Sequence, residues 1–311
     1  MHNTKRGLWI CLLIASLLFL PSLGWAASIF LTGHDPDFHA LSGSAENPAG
    51  AQNINRAAIN FILAPGFNSF VDMGVNQFLF VESVSTPPGG HRNGVNGIIQ
   101  TGFSLGTDFE HHGASTLNGE LDLLGSKYSG IVVASDFGGV LRQAELDILN
   151  SRSTDIIDFL NAGGGLYALA ESNNGAGLTP GGGQFGFLPF VVSSTAFNRF
   201  ESGNAVTAFG TTLGLTDSDI NGNFSHNIFL DDFGLNVVDR DRFGNILSLA
   251  GRGDVDPGGG VTPPSGPGPG PGPGPGPGPG PAPIPEPATL LLFGSGLAGL
   301  VVWRWRGILR K

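Results

Sequence analysis

Four short stretches carry residues able to do chemistry, and each follows an apolar run. "GHDPDFH" holds His34, Asp35, Asp37 and His39. Glu82 ends "QFLFVE", Asp136 follows "SGIVVAS", and Glu171-Ser172 ends "GLYALAES". If the runs are parallel strands, these residues form a crest at the C-terminal edge of the sheet, where open α/β sheets bind ligands. Such a crest could hold a divalent cation with His34 or His39, hydrogen-bond sugar hydroxyls, or supply an acid and a base for glycoside chemistry. Polar residues are also common where strands leave a core, and Asp-Pro-Asp favours a turn.

A second set lies in "TDSDINGNFSHNI" (216–228). Asp217, Asp219, Asn221 and Asn223 alternate as in the first half of a calcium loop, with Gly222 for the sharp bend. The twelfth position is Ile228 instead of a bidentate Glu, so a weak calcium site and an Asx-rich turn both remain open. "DFEHHG" (108–113) places His111 and His112 on an expected loop, where at most one would join a site. "RGD" (252–254) reads as a chance tripeptide.

The elements that must position these residues alternate in type. "SIFLT" (28–32), "QFLFVE" (77–82), "SGIVVAS" (129–135) and "GLYALAE" (165–171) are apolar on both faces, as buried parallel strands are. Between them, "AQNINRAAINFILA" (51–64) carries an apolar stripe of Ile54, Ala57, Ala58, Phe61 and Ile62, and "RQAELDILNSRSTDIIDFLN" (142–161) carries another. The glycines of "NAGGG" stop the second helix. The expected fold is α/β, a doubly wound, mostly parallel, flavodoxin-like sheet over residues 27–253. A late hairpin closes it at 235–252, turning near Phe243-Gly244-Asn245.

The ends of the 311-residue chain are of another kind. Lys5 and Arg6 precede an apolar core from Leu8 to Leu20, and Gly24, Ala26 and Ala27 follow Pro21. This is the layout of a signal peptide over 1–26, cut after Ala26 by signal peptidase. Cys11, the single cysteine, would leave with it, which excludes disulfides, zinc-thiolate sites and a cysteine nucleophile from the mature part. Residues 254–283 form a Gly/Pro-rich linker, disordered, with a Gly-Pro repeat at 266–281 that reaches about 50 Å at about 3.1 Å per residue. Its period of two is not that of collagen. Ala288 to Trp303 is an uncharged run of 16 residues, a single hydrophobic helix of about 24 Å, with a basic cluster after it. "GSGLAG" inside that run lacks the strand a dinucleotide fingerprint requires.

Of the 15 basic residues, two lie in the signal segment and four in the tail. Nine remain against 24 acidic residues, a net charge near −15 for the middle. Such a surface repels nucleic acid and suits divalent cations, neutral sugars or plain solubility.

The tail closely resembles the PEP-CTERM sorting signal of Gram-negative bacteria, through Pro285-Glu286-Pro287, the apolar helix at 288–303, and the basic residues from Arg304 and Arg306 onward. The resemblance implies export through the inner membrane, transient insertion by residues 284–311, and recognition by an exosortase. Cleavage near Pro-Glu-Pro and release to the cell surface or an extracellular polysaccharide matrix would follow. "IIDFLNAGGGLYALAESNNGAG" (156–177) resembles the helix–Gly-Gly–strand–elbow segment of class I glutamine amidotransferase-like domains, which include trehalose-utilisation-like proteins. The family's cysteine nucleophile would fall at Glu171, so amidotransferase chemistry is not expected. "HDPD" is similar to the His-Pro-Asp-Asp zinc motif of sugar deacetylases, in a different order. The expected function is an exported, non-catalytic or carbohydrate-binding surface protein; the alternative is a metal-assisted hydrolase acting on polysaccharide or its modifications.

Overall fold

The structure is a computed structural model, and it describes residues 26–41, 46–173, 175–192, 194–200 and 202–263. Residues 1–25 of the signal segment, the Gly-Pro repeat and the sorting tail lie outside the described residues.

Five strands form a parallel block: β1 (Ala27–Thr32), β2 (Gln77–Val81), β3 (Phe109–His112), β4 (Tyr128–Val133) and β5 (Gly165–Ala168), in the order β3-β2-β4-β5-β1. Their apolar side chains are buried, as runs without alternation require: Ile29, Phe30, Leu31, Phe78 to Val81, Ile131 to Val133, and Leu166 to Ala168. Phe30 meets Tyr167 edge to face at 5.5 Å, and the Tyr167 hydroxyl donates to Asn55 Oδ1 at 2.9 Å, which satisfies its one buried polar group.

Helices α1 (Pro36–His39), α2 (Pro48–Ile62), α3 (Ser69–Asp72) and α4 (Gly94–Thr101) lie between β1 and β3. Helices α5 (Ala114–Leu121), α6 (Gln143–Ser151) and α7 (Ser153–Asn161) lie between β3 and β5. The chain moves toward the β3 edge in the first half and back in the second. Right-handed crossovers therefore put α2 and α4 on one face and α5, α6 and α7 on the other, while Phe70 of α3 stacks on Phe159 of α7. Consistent with this, α2 packs on α4, and α6 packs on both α5 and α7. The stretch expected as one helix over 142–161 is two helices. Ser151 Oγ donates back to the Ile148 carbonyl at 2.8 Å, and the chain re-starts after Arg152.

The sheet is mixed. The expected hairpin is present as β9 (Asn236–Arg240) and β10 (Ile246–Val255), and β10 pairs antiparallel with β1. The short β7 (Ala205–Val206) extends this side, and β11 (Val261–Thr262) pairs with β10, which makes nine strands among the described residues. Residues 254–262, expected in the linker, thus belong to the sheet. The order also departs from the flavodoxin one: β1 lies at the end of the parallel block beside β5, not next to β2. Helices α8 (Ala208–Thr212) and α9 (Asp217–Ile220) lead into β8 (Phe224–Asn227), which pairs antiparallel with β6 (Ser194–Phe200) in a separate two-stranded sheet.

Candidate functional site

The second sheet builds the site by docking on the end of β1. The Gly33 carbonyl accepts from His226 N at 2.7 Å and from Asn227 N at 3.2 Å, and His34 forms an antiparallel bridge with Ser225. Only glycine allows this approach, since a Cβ at Gly33 would lie 2.1 Å from the Asn227 carbonyl oxygen. Pro36 opens α1, where its missing N–H costs nothing, and the single turn returns His39 beneath Asp35.

Asp35 therefore lies between two imidazoles. Its Oδ1 is 3.2 Å from His39 Nε2 and its Oδ2 is 3.4 Å from His226 Nε2; His39 Nδ1 is 2.7 Å from Glu46 Oε2. Asp35, His39 and His226 are each at most 3% exposed. They form the inner wall of a cleft of about 290 Å³ that also takes in Glu46, His91 and the rings of Phe38, Phe137 and Phe224. Phe137 lies 4.0 Å from the His226 ring, and Phe224 stacks at 6.5 Å on His39. Burial would raise the Asp35 carboxyl, but the charges of His39 and His226 outweigh it and bring it down to about 2. Burial would lower the His39 imidazole, and Asp35, with Glu46 on its other side, holds it above its ordinary value. The cleft thus presents an ionised carboxylate, an imidazolium and aromatic faces.

The rest of the expected crest is used inside the loops. His34 Nε2 bonds Asp239 Oδ2 on β9 at 2.9 Å. Asp37 accepts from Ser135 Oγ at 2.7 Å and from Ser135 N at 2.9 Å, and burial pushes it up to about 6. Glu82 Oε1 accepts from Gly94 N at 2.6 Å and Val140 N at 3.1 Å, while Oε2 accepts from Val95 N at 3.1 Å, so it caps α4. Burial, with Asp37 nearby, pushes Glu82 up to about 8. Asp136 Oδ1 accepts from Ser172 N at 2.6 Å and Ser172 Oγ at 3.0 Å. Glu171 accepts from Phe185 N, and burial raises its carboxyl well above the usual range. Of the expected crest, Asp35 and His39 line the cleft. Glu46, His91, Phe137, Phe224 and His226 were not expected there, and no spacing in the sequence links them to "GHDPDFH".

The calcium-like stretch has partners of its own. Asp217 Oδ1 accepts from Val206 N at 2.8 Å. Asp219 makes a capping box with Thr216 and accepts from Asn53 Nδ2 at 2.8 Å. Asn221 bonds Asn204 through both its amide atoms, and Asn223 does the same with the backbone of Asn47. All four side chains tie α9 to its neighbours.

His111 and His112 lie on β3, an edge strand and not the expected loop, and they point to opposite faces. His111 Nε2 is 3.4 Å from Glu82 Oε2, and burial lowers its imidazole. His112 lies with Glu110 and Glu120, the one set of three metal-ligating side chains that converges among the described residues. Lys127 Nζ already fills it, 2.7 Å from Glu110 Oε2 and 3.2 Å from Glu120 Oε2. The Arg-Gly-Asp tripeptide is inside β10, and the Arg252 guanidinium lies between the rings of Phe61 and Phe67, at 4.0 and 3.9 Å.

Among the described residues no helix is long and apolar enough to cross a membrane. No curated protein and no solved structure matches the chain, so the amidotransferase-like resemblance of the middle domain has no relative behind it. The tail is different: residues 283–307 match the PEP-CTERM protein-sorting motif, which points to export and membrane-associated sorting in Gram-negative bacteria.

Proposed function

We propose that this is an exported surface or matrix protein, cleaved by signal peptidase at its start and by an exosortase at its tail, whose folded domain binds saccharide without chemistry. The observation that carries the binding role is the cleft at Asp35: aromatic faces beside buried, orientable polar groups, the combination that holds a pyranose by its C–H face and its hydroxyls. The metal-assisted alternative has less support. Glu82, Asp136 and Glu171 each accept a backbone N–H inside the loops, and no three metal-ligating side chains of the crest converge among the described residues.

Two measurements test the reading. Calorimetric titration of the purified protein with oligosaccharides is expected to give saturable binding that Phe137→Ala weakens ten-fold or more; heat without saturation for every sugar overturns the binding role. Replacing Pro285, Glu286 and Pro287 with alanine is expected to trap the protein in the membrane fraction, while the wild type is released at a lower mass. Equal retention of both overturns the processing role.

A further inference from the structure

We propose that the cleft takes a saccharide bearing a protonated amine, an amino sugar not acetylated on nitrogen. The proposal rests on the saccharide reading above and names its substrate class.

Asp35 and Glu46 set two carboxylates around His39 in the wall of the cleft. These carboxylates repel a uronic acid and give a neutral sugar no ion pair. An ammonium group can pair with either of them, and the nearby rings favour a cation over their faces. The Arg92 guanidinium, 5.2 Å from the centroid of the Phe38 ring, is a cation already held by one of these rings.

Asp35 Oδ1 and His226 Nε2 are buried and have no aligned hydrogen-bond partner. Buried polar atoms are rarely left so, and both residues line the cleft. An ammonium has three donors and no acceptor. It can donate to Asp35 Oδ1, which the cleft leaves without an aligned donor. An N-acetyl group offers one uncharged N–H and a methyl in the same space.

The segment after β4 runs against Asp35 at Gly138, where a Cβ would lie 2.5 Å from Asp35 Oδ2 and 2.8 Å from the Phe38 ring, so backbone closes one side of the carboxylate. At long range, an acidic domain attracts a polycationic chain.

The test is calorimetry on the purified full-length protein at pH 6 with a glucosamine tetramer, its N-acetylated equivalent and a glucose tetramer. The amine form is expected to bind at least ten-fold more tightly than the other two. That preference should shrink with added salt and be lost in Asp35→Asn. Should Asp35→Asn fail to fold, Glu46→Gln, on the partly exposed rim, is expected to reduce the preference several-fold. Equal affinity for all three tetramers overturns this inference and leaves saccharide binding standing. No binding of any of them overturns both. Equally tight binding of spermidine, which has amines and no sugar ring, overturns the sugar and leaves only a cation site.

Discussion

Asp35 Oδ2 and His226 Nε2 lie 3.4 Å apart, one from the turn after β1 and the other from β8. The contact depends on a third residue. Gly33 accepts both β8 amides through one carbonyl, and its missing side chain leaves the space for Asn227. Gly33→Ala would force β8 away. We expect a loss of about 1–3 kcal/mol by chemical denaturation, in the range of overpacking costs. Ligand binding should fall with it. Unchanged stability would mean that β8 is not held here.

His39 is the site's internal reporter. Its imidazole is held up against burial, first by Asp35 and then by Glu46. A group raised in the folded state contributes stability that is fully present below its unfolded pKa and lost as pH rises through the folded one. NMR titration of the imidazole should show His39 moving down in Asp35→Asn, and less far in Glu46→Gln. An unmoved titration in both variants would contradict the pairing.

The parallel block was legible because β1, β2, β4 and β5 are apolar on both faces, a pattern that polar loops do not imitate. β3 was not, because Phe-Glu-His-His is four residues long at a sheet edge, where half the side chains meet water. The split at Arg152 was hidden because the apolar stripe continues across it. Half of the cleft was hidden for a different reason. Asp35 and His39 stand in a visible motif, but His226 reaches them through a strand that looks, locally, like part of an Asx-rich calcium loop. Contacts made by docking one sheet on another leave no periodicity in either segment.

That loop can be tested directly. Asp219 closes a capping box and holds Asn53, so Asp219→Ala should cost about 1–2 kcal/mol, as lost caps do. Calcium should not raise the melting temperature of the wild type, because binding would have to break these bonds first. A calcium-dependent rise that Asp219→Ala abolishes would instead establish the site that the residue spacing suggests.

Glu82 gives the pH dependence a definite sign. Its carboxyl is pushed from 4.5 up to about 8, with burial the largest cause. Between those values the folded state keeps a proton that the unfolded state has lost. Stability from this group is therefore full below about pH 4.5 and declines as pH rises toward 8, by up to about 1.4 kcal/mol per pH unit. Asp37, raised to about 6, adds a slope of the same sign at lower pH, and Asp35, lowered to about 2, adds the opposite sign in strong acid. His39 shares the upper part of the window, so the comparison must be made against a variant. In Glu82→Gln the amide oxygen keeps the bonds from Gly94 and Val140, while the amide nitrogen faces His111 in place of Oε2 and the bond from Val95 N is lost in both the acid and the alkaline arm. Denaturation midpoints from pH 6.5 to 8 should fall in the wild type and fall less steeply in Glu82→Gln, where His39 and Glu171 still contribute a slope of the same sign. Parallel slopes in the two proteins would show that Glu82 is already ionised in the fold and that its three amide donors outweigh its burial.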